Sequence, residues 1–130
     1  MSLVDVDLVD VRGVLPADVR CFLREANRRI ERFQLTNRIA AFVPSDFGAS
    51  YYVLKQLAGA CAKPGRLVCE WGSSFGVVAR LAAMLEFDAC GTEIETELVD
   101  AAQQLADDFS LPIMLECVDT KWLRPVRETR

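Results

Sequence analysis

Histidine is absent from this 130-residue chain. With it go the commonest general base, the usual partner of a nucleophilic serine or cysteine, and the most frequent metal ligand. Any chemistry must use carboxylates, hydroxyls, a thiol or plain positioning. The five cysteines, at positions 21, 61, 69, 90 and 117, are odd in number and form no Cys-x-x-Cys pair. Without such spacing, and without histidine, no zinc site is expected. The expectation is buried, reduced thiols in a cytoplasmic protein. No apolar run reaches membrane length, and no signal-peptide pattern opens the sequence. Repeats and low-complexity segments are absent too. Net charge is −4, which argues against a surface that grips nucleic acid all over. A local basic patch stays open.

What is present is an apolar fraction of 52%, enough for one packed core. The length fits a single domain over 1–130. Residues 3–11 alternate only in part, with Val4, Val6 and Leu8 on one side. Segment 1–14 is therefore expected as an N-terminal arm or a short edge strand. Leu15-Pro16-Ala17-Asp18 reads as a helix start. That helix should run to about Phe33, with Val19, Phe22, Leu23, Ala26, Ile30 and Phe33 as its apolar face. Arg20, Arg24, Arg28 and Arg32 fall four apart on a neighbouring face. One reading makes them a solvated stripe beside Glu25 and Glu31. The other makes them a patch for a phosphate-bearing partner. Pro44 blocks helix at Val43, and Ser45 is placed to cap a second helix over roughly Asp46–Cys61. Residues 15–62 are thus two N-terminal helices. Lys63-Pro64-Gly65 is a turn that resets the chain.

The core is expected over 63–123. Leu67-Val68-Cys69-Glu70 reads as a strand ending in a carboxylate. A turn with Gly72 and Gly76 follows, then a helix from near Phe75 to 86 with Val77, Val78, Leu81, Ala82 and Leu85 on one face. Ala89–Ile94 is a second strand, with Glu93 near its end. Thr96 can cap a helix carrying Leu98, Ala101, Ala102, Leu105 and Phe109. Ile113–Val118 is a third strand, with Asp119 just after it. Strands alternating with helices imply an α/β fold with a parallel sheet, Rossmann-like and three-layered. Parallel strands present their C-terminal ends along one rim, so Glu70, Glu93 and Asp119 should line one crevice.

A dinucleotide fits that rim poorly. Counted from Gly72, the second and third glycine positions of its fingerprint hold Ser74 and Val77. Glu70 would also repel a pyrophosphate, and no Walker loop is present. A ligand bearing hydroxyls, amines and positive charge fits better.

Here the sequence resembles class I S-adenosylmethionine-dependent methyltransferases. Their first motif, an acidic residue followed by spaced glycines, is similar to Glu70-Trp71-Gly72-Ser73-Ser74-Phe75-Gly76, with Ser74 in place of the middle glycine. Their second motif, an acidic residue ending the second strand, matches Glu93. The resemblance implies that Glu93 binds the ribose hydroxyls and that Asp119 lies near the adenine amino group. Phe42-Val43-Pro44-Ser45-Asp46 is similar to a proline-containing segment that borders the cofactor. Trp71, Ser73 and Ile94 complete the cofactor-binding set that the resemblance implies, and Trp71 and Phe75 are candidates to wall the site or to pack in the core.

The resemblance covers about residues 42–123, the cofactor half of that fold. The C-terminal half of the usual methyltransferase sheet is expected to be missing, which leaves one edge of the first strand bare. A longer natural chain, a homodimer, or the Leu3–Val11 segment folded back would each cover it. Two functions remain open. One is an S-adenosylmethionine-binding, methyltransferase-like domain with an unknown acceptor and no assignable catalytic residue. The other is a non-catalytic Rossmann-like interaction module that has lost the substrate half.

Overall fold

The computed structural model describes residues 13–36, 46–60, 67–110 and, as backbone, 114–117. Their order is α1 (Ala17–Thr36), α2 (Phe47–Ala60), β1 (Leu67–Trp71), α3 (Val77–Met84), β2 (Asp88–Glu93), α4 (Thr96–Phe109) and β3 (Met114–Cys117). The chain is a mixed α/β protein with a parallel sheet ordered β1-β2-β3. Leu67 pairs with Asp88 and Trp71 with Thr92, while Cys90 pairs with Met114 and Glu93 with Cys117. The central position of β2 follows from two consecutive crossovers in the same direction.

α1 buries Val19, Phe22, Leu23, Ala26 and Ile30, the face that its 3.6-residue period sets apart. The Pro16 carbonyl accepts the first helical bond from Arg20 N at 2.9 Å, so proline precedes the helix, where its missing N–H costs nothing. The helix continues past Phe33 to Thr36, whose hydroxyl bonds back to the Arg32 carbonyl. At the start of α2 the cap is Asp46, whose Oδ1 accepts from Ala49 N at 3.0 Å. Ser45, expected as the cap, lies outside the described residues, as do the 1–12 arm, Val43, Pro44 and Asp119.

α3 begins at Val77, two residues later than its apolar pattern suggests. Gly76 at φ 70° and Phe75 still belong to the turn. It also stops earlier, at Met84. There Glu86 N bonds to Ala83 O and Phe87 N to Ala82 O, with Glu86 at φ 67°. This is a Schellman ending with a glutamate where glycine is usual. Buried Phe87 pins it to the core. Thr96, expected as the cap of α4, is instead its first residue. The cap is Glu95, whose side chain makes no capping bond.

Val68 and Ala89 pack against the buried cluster of Phe22, Phe75, Leu81, Leu98 and Leu105. Each such fully buried side chain contributes about 1.5–3 kcal/mol. Arg80 is fully buried and its Nη2 donates to the Ala102 carbonyl at 3.0 Å, so α3 and α4 lie side by side over the same face of the sheet. α1 crosses that layer. Phe22 meets Phe109 edge-on at 5.3 Å, Phe33 meets Phe75 at 5.5 Å, and Arg29 bonds to Asp108. α1, α3 and α4 thus gather on one side of the sheet, and α2 packs against α3.

Candidate functional site

Alternation along β1 directs Val68 and Glu70 toward the helices. Glu70 closes the strand, and its Oε1 accepts from Ala79 N, a free N–H of the first turn of α3, at 3.1 Å. Its carboxyl is pushed up to about 7, first by burial and further by the nearby charge of Glu93, with the Ala79 N–H pulling the other way.

Beyond Trp71 the chain takes three left-handed residues in five: Gly72 at φ 65°, Ser74 at 53° and Gly76 at 70°. A Cβ at Gly72 would meet nothing within 4 Å, so backbone conformation, not crowding, calls for glycine there. The turn is fastened at several points. Ser73 N donates to the Thr92 carbonyl at 2.8 Å, and Gly76 N to the Ser73 carbonyl at 2.7 Å. Ser74 N donates to Glu93 Oε1 at 2.8 Å.

Glu93 is the hub. Besides Ser74, it accepts through Oε2 from Ile94 N at 2.8 Å and Glu95 N at 3.2 Å. One buried carboxylate thus holds the turns after both β1 and β2. A carboxylate has about four acceptor positions, so three backbone donors leave roughly one for anything else. Beside this hub the Ser73 and Thr92 hydroxyl oxygens are buried with no hydrogen-bond partner. Such groups usually have one.

The structure brings together Glu70, Trp71, Gly72, Ser73, Ser74, Gly76, Glu93 and Ile94 at the C-terminal ends of β1 and β2. Trp71 is 57% exposed and Ile94 54%, so two large apolar surfaces flank half-buried Glu70 and buried Glu93. Phe75 is instead core, buried and stacked edge-on with Phe33. Sequence reasoning passed over Thr92 and Arg80. Thr92 looks like an ordinary strand threonine, and only its register beside the turn gives it a role. Arg80 sits in an apolar helix face, and that mismatch was the available signal.

The Arg20, Arg24, Arg28 and Arg32 stripe is exposed. Arg28 is engaged with Glu25 at 2.8 Å, and the hydrogen bonds from Arg28 and Arg29 hold the Glu25 carboxyl down at about 2. The solvated reading accounts for Arg28. A separate open cleft of about 230 Å³ lies between α1 and α4, lined by Arg29, Arg32, Phe33, Phe75 and Gln104. It contains none of the strand-end carboxylates. Cys21 is exposed, and Cys69 and Cys90 are partly so, which corrects the expectation of buried thiols for these three; Cys61 and the Cys117 side chain lie outside the described residues. Among the described residues no group of three or more metal-ligating side chains occurs, and no helix is long and apolar enough to cross a membrane.

No family model, no curated protein and no solved structure matches the chain.

Proposed function

We propose that this chain is a Rossmann-like domain that binds S-adenosylmethionine at the rim formed by β1 and β2, in the manner of a methyltransferase. The observation that carries the reading is the left-handed turn from Gly72 to Gly76, joined through Ser74 to the carboxylate that ends the neighbouring parallel strand. A turn of this kind leaves backbone open to a ligand. The residues present fit the group in three respects. Space is open beside Gly72. Two buried hydroxyls, on Ser73 and Thr92, stand at the rim without partners. Ile94 and Trp71 offer exposed apolar faces to an aromatic base.

When bound, the cofactor supplies an electrophilic methyl on a sulfonium. The chain's part is to hold it in line with an acceptor, so positioning carries the rate. Glu93 offers one remaining acceptor position to a ribose hydroxyl. Accepting from two hydroxyls requires it to release Ser74 N. Glu70 ionises near neutrality and places negative charge under the turn above pH 7, which favours a cationic ligand.

Isothermal titration with S-adenosylmethionine at millimolar ligand tests this. Binding is expected, stronger at pH 8 than at pH 6, with a smaller pH effect for uncharged-sulfur S-adenosylhomocysteine. Ile94→Asp, a change at an exposed position that leaves the core intact, should weaken binding about tenfold, the effect of losing roughly 1.4 kcal/mol. Absence of heat with a folded protein, or equal affinity in Ile94→Asp, rejects the proposal.

The second reading, a non-catalytic interaction module, is favoured by one observation. Three backbone donors already occupy Glu93, as befits a carboxylate kept for architecture. It predicts no titration heat together with concentration-dependent self-association in sedimentation.

A further inference from the structure

Cys69 and Cys90 are 21 positions apart in sequence but face each other in register on β1 and β2. Partners in a parallel pair project to the same side of the sheet, and Val68 and Ala89, their neighbours, pack on the helices. The two thiols therefore share the opposite face, where Leu67 is 45% and Trp71 57% exposed. Both are partly exposed and neither is in a disulfide.

Strand spacing decides what such a pair can do. Adjacent strands run about 4.8 Å apart, whereas a disulfide draws its two Cβ atoms to about 3.8 Å. In a parallel pair the two Cβ atoms stand about as far apart as the strands, so direct S–S bonding would need them to lean toward each other. A zinc–thiolate bond is about 2.3 Å long; two metal–thiolate bonds of that order in line span about 4.6 Å, close to the gap the sheet already sets. Zinc needs four ligands, and no larger cluster of ligating side chains exists among the described residues. A soft monovalent cation satisfied by two thiolates fits the pair, and softness selects copper(I).

We propose that Cys69 and Cys90 form a two-coordinate copper(I) site on the face of the sheet away from the helices. Each S–Cu bond forms as that thiol's proton passes to water. No electron is transferred, two protons are released per copper, and affinity falls with acid. The copper site does not rest on the cofactor reading: neither thiol is a rim residue, and both lie two positions before Trp71 and Thr92 along the strands, on the same face.

The test uses the full chain carrying Cys21→Ser, Cys61→Ser and Cys117→Ser, titrated without oxygen with copper(I) in competition with bicinchoninate. One copper per monomeric chain is expected. Adding Cys69→Ser or Cys90→Ser should cost more than the roughly 10–100-fold typical of losing a residue that merely supports a ligand. Unchanged stoichiometry and affinity in both variants, or binding found only in a copper-bridged dimer, overturns the proposal. A second measurement needs no substitution. In the wild-type protein, copper should shield Cys69 and Cys90 from iodoacetamide while exposed Cys21 still reacts. Equal labelling of the pair with and without copper overturns it as well.

Discussion

The two strand–turn–helix units of the sheet differ in the turn and in the helix it feeds. Between β1 and α3 the chain spends five residues, three of them left-handed. The helix that follows is only eight residues long, with Val77, Ala79, Arg80, Leu81 and Ala82 all buried. Between β2 and α4 it spends two residues, and Glu95 is extended at φ −86°. That helix has fourteen residues and buries one stripe, Leu98, Ala102, Leu105 and Ala106. A wide turn costs conformational strain and exposed backbone, which a protein keeps where backbone must meet something. A tight turn only reverses direction. α3, pressed between the sheet and other helices, has no solvent face to fill with charge. α4 has one, and fills it. The same carboxylate, Glu93, disciplines both turns, so the contrast rests on one side chain.

Removing that side chain should have the largest effect. Glu93→Ala strips the acceptor from three backbone N–H groups at once. We expect a loss of about 2–4 kcal/mol in urea unfolding, since one stranded buried donor alone costs about 1–3 kcal/mol. The matching change in the tight turn, Glu95→Ala, removes a cap with no side-chain bond. It should fall within the roughly 0.5 kcal/mol of an ordinary surface substitution. Equal losses in the two variants would abolish the contrast.

Next comes Glu70. Its folded-state carboxyl sits near 7, above its ordinary value of 4.5, so the folded protein binds that proton more tightly than the unfolded chain. The resulting stability is fully present below about pH 4.5 and is lost as pH rises through 7. Glu70→Gln keeps an acceptor for Ala79 N and cannot ionise. At pH 8 the variant should be more stable than the wild type by about 1–3 kcal/mol, at 1.36 kcal/mol per pH unit and allowing for partial solvation. At pH 4.5 the two should converge. Thermal melts across this range read it directly, and parallel curves would show Glu70 to be as solvated as a surface carboxylate.

The smallest effect concerns Ser74, a serine at φ 53°. Ser74→Gly relieves the left-handed strain of about 1 kcal/mol but adds freedom to the unfolded chain. The expected net gain is a few tenths of a kcal/mol. Cofactor affinity should rise together with it if backbone approach at this point limits binding. A loss of stability would mean that the serine side chain, not the backbone, holds the turn.

Much of the fold was legible because it depends on periodicity. The apolar face of α1, the three strands and their parallel pairing were expected from spacing alone. Boundaries were not, because chain-ending devices carry weak signals. Glu86 terminates α3 in a conformation that sequence reserves for glycine, so the helix was extended through it. Asp46 and Ser45 are both good caps, and composition does not rank them. At the rim, position was readable and connectivity was not. Spacing puts Glu70 and Glu93 at strand ends, yet nothing in it says that both would turn toward backbone N–H groups. The Cys69–Cys90 pairing was hidden for the same reason: register is a property of two strands, and neither one encodes it.

The reach of Arg29 to Asp108, across 79 positions of chain at 2.5 Å, has a bearing on how the protein is made. α1 leaves the ribosome well before α4, the helix it meets through Phe22 against Phe109 and Arg29 against Asp108. At about 5–20 residues per second, α1 waits roughly 4–16 s for α4, with Phe22 uncovered until Phe109 arrives. Until then its apolar face lacks the partner that finally covers Phe22. α1 is thus made well before the helix that seats it.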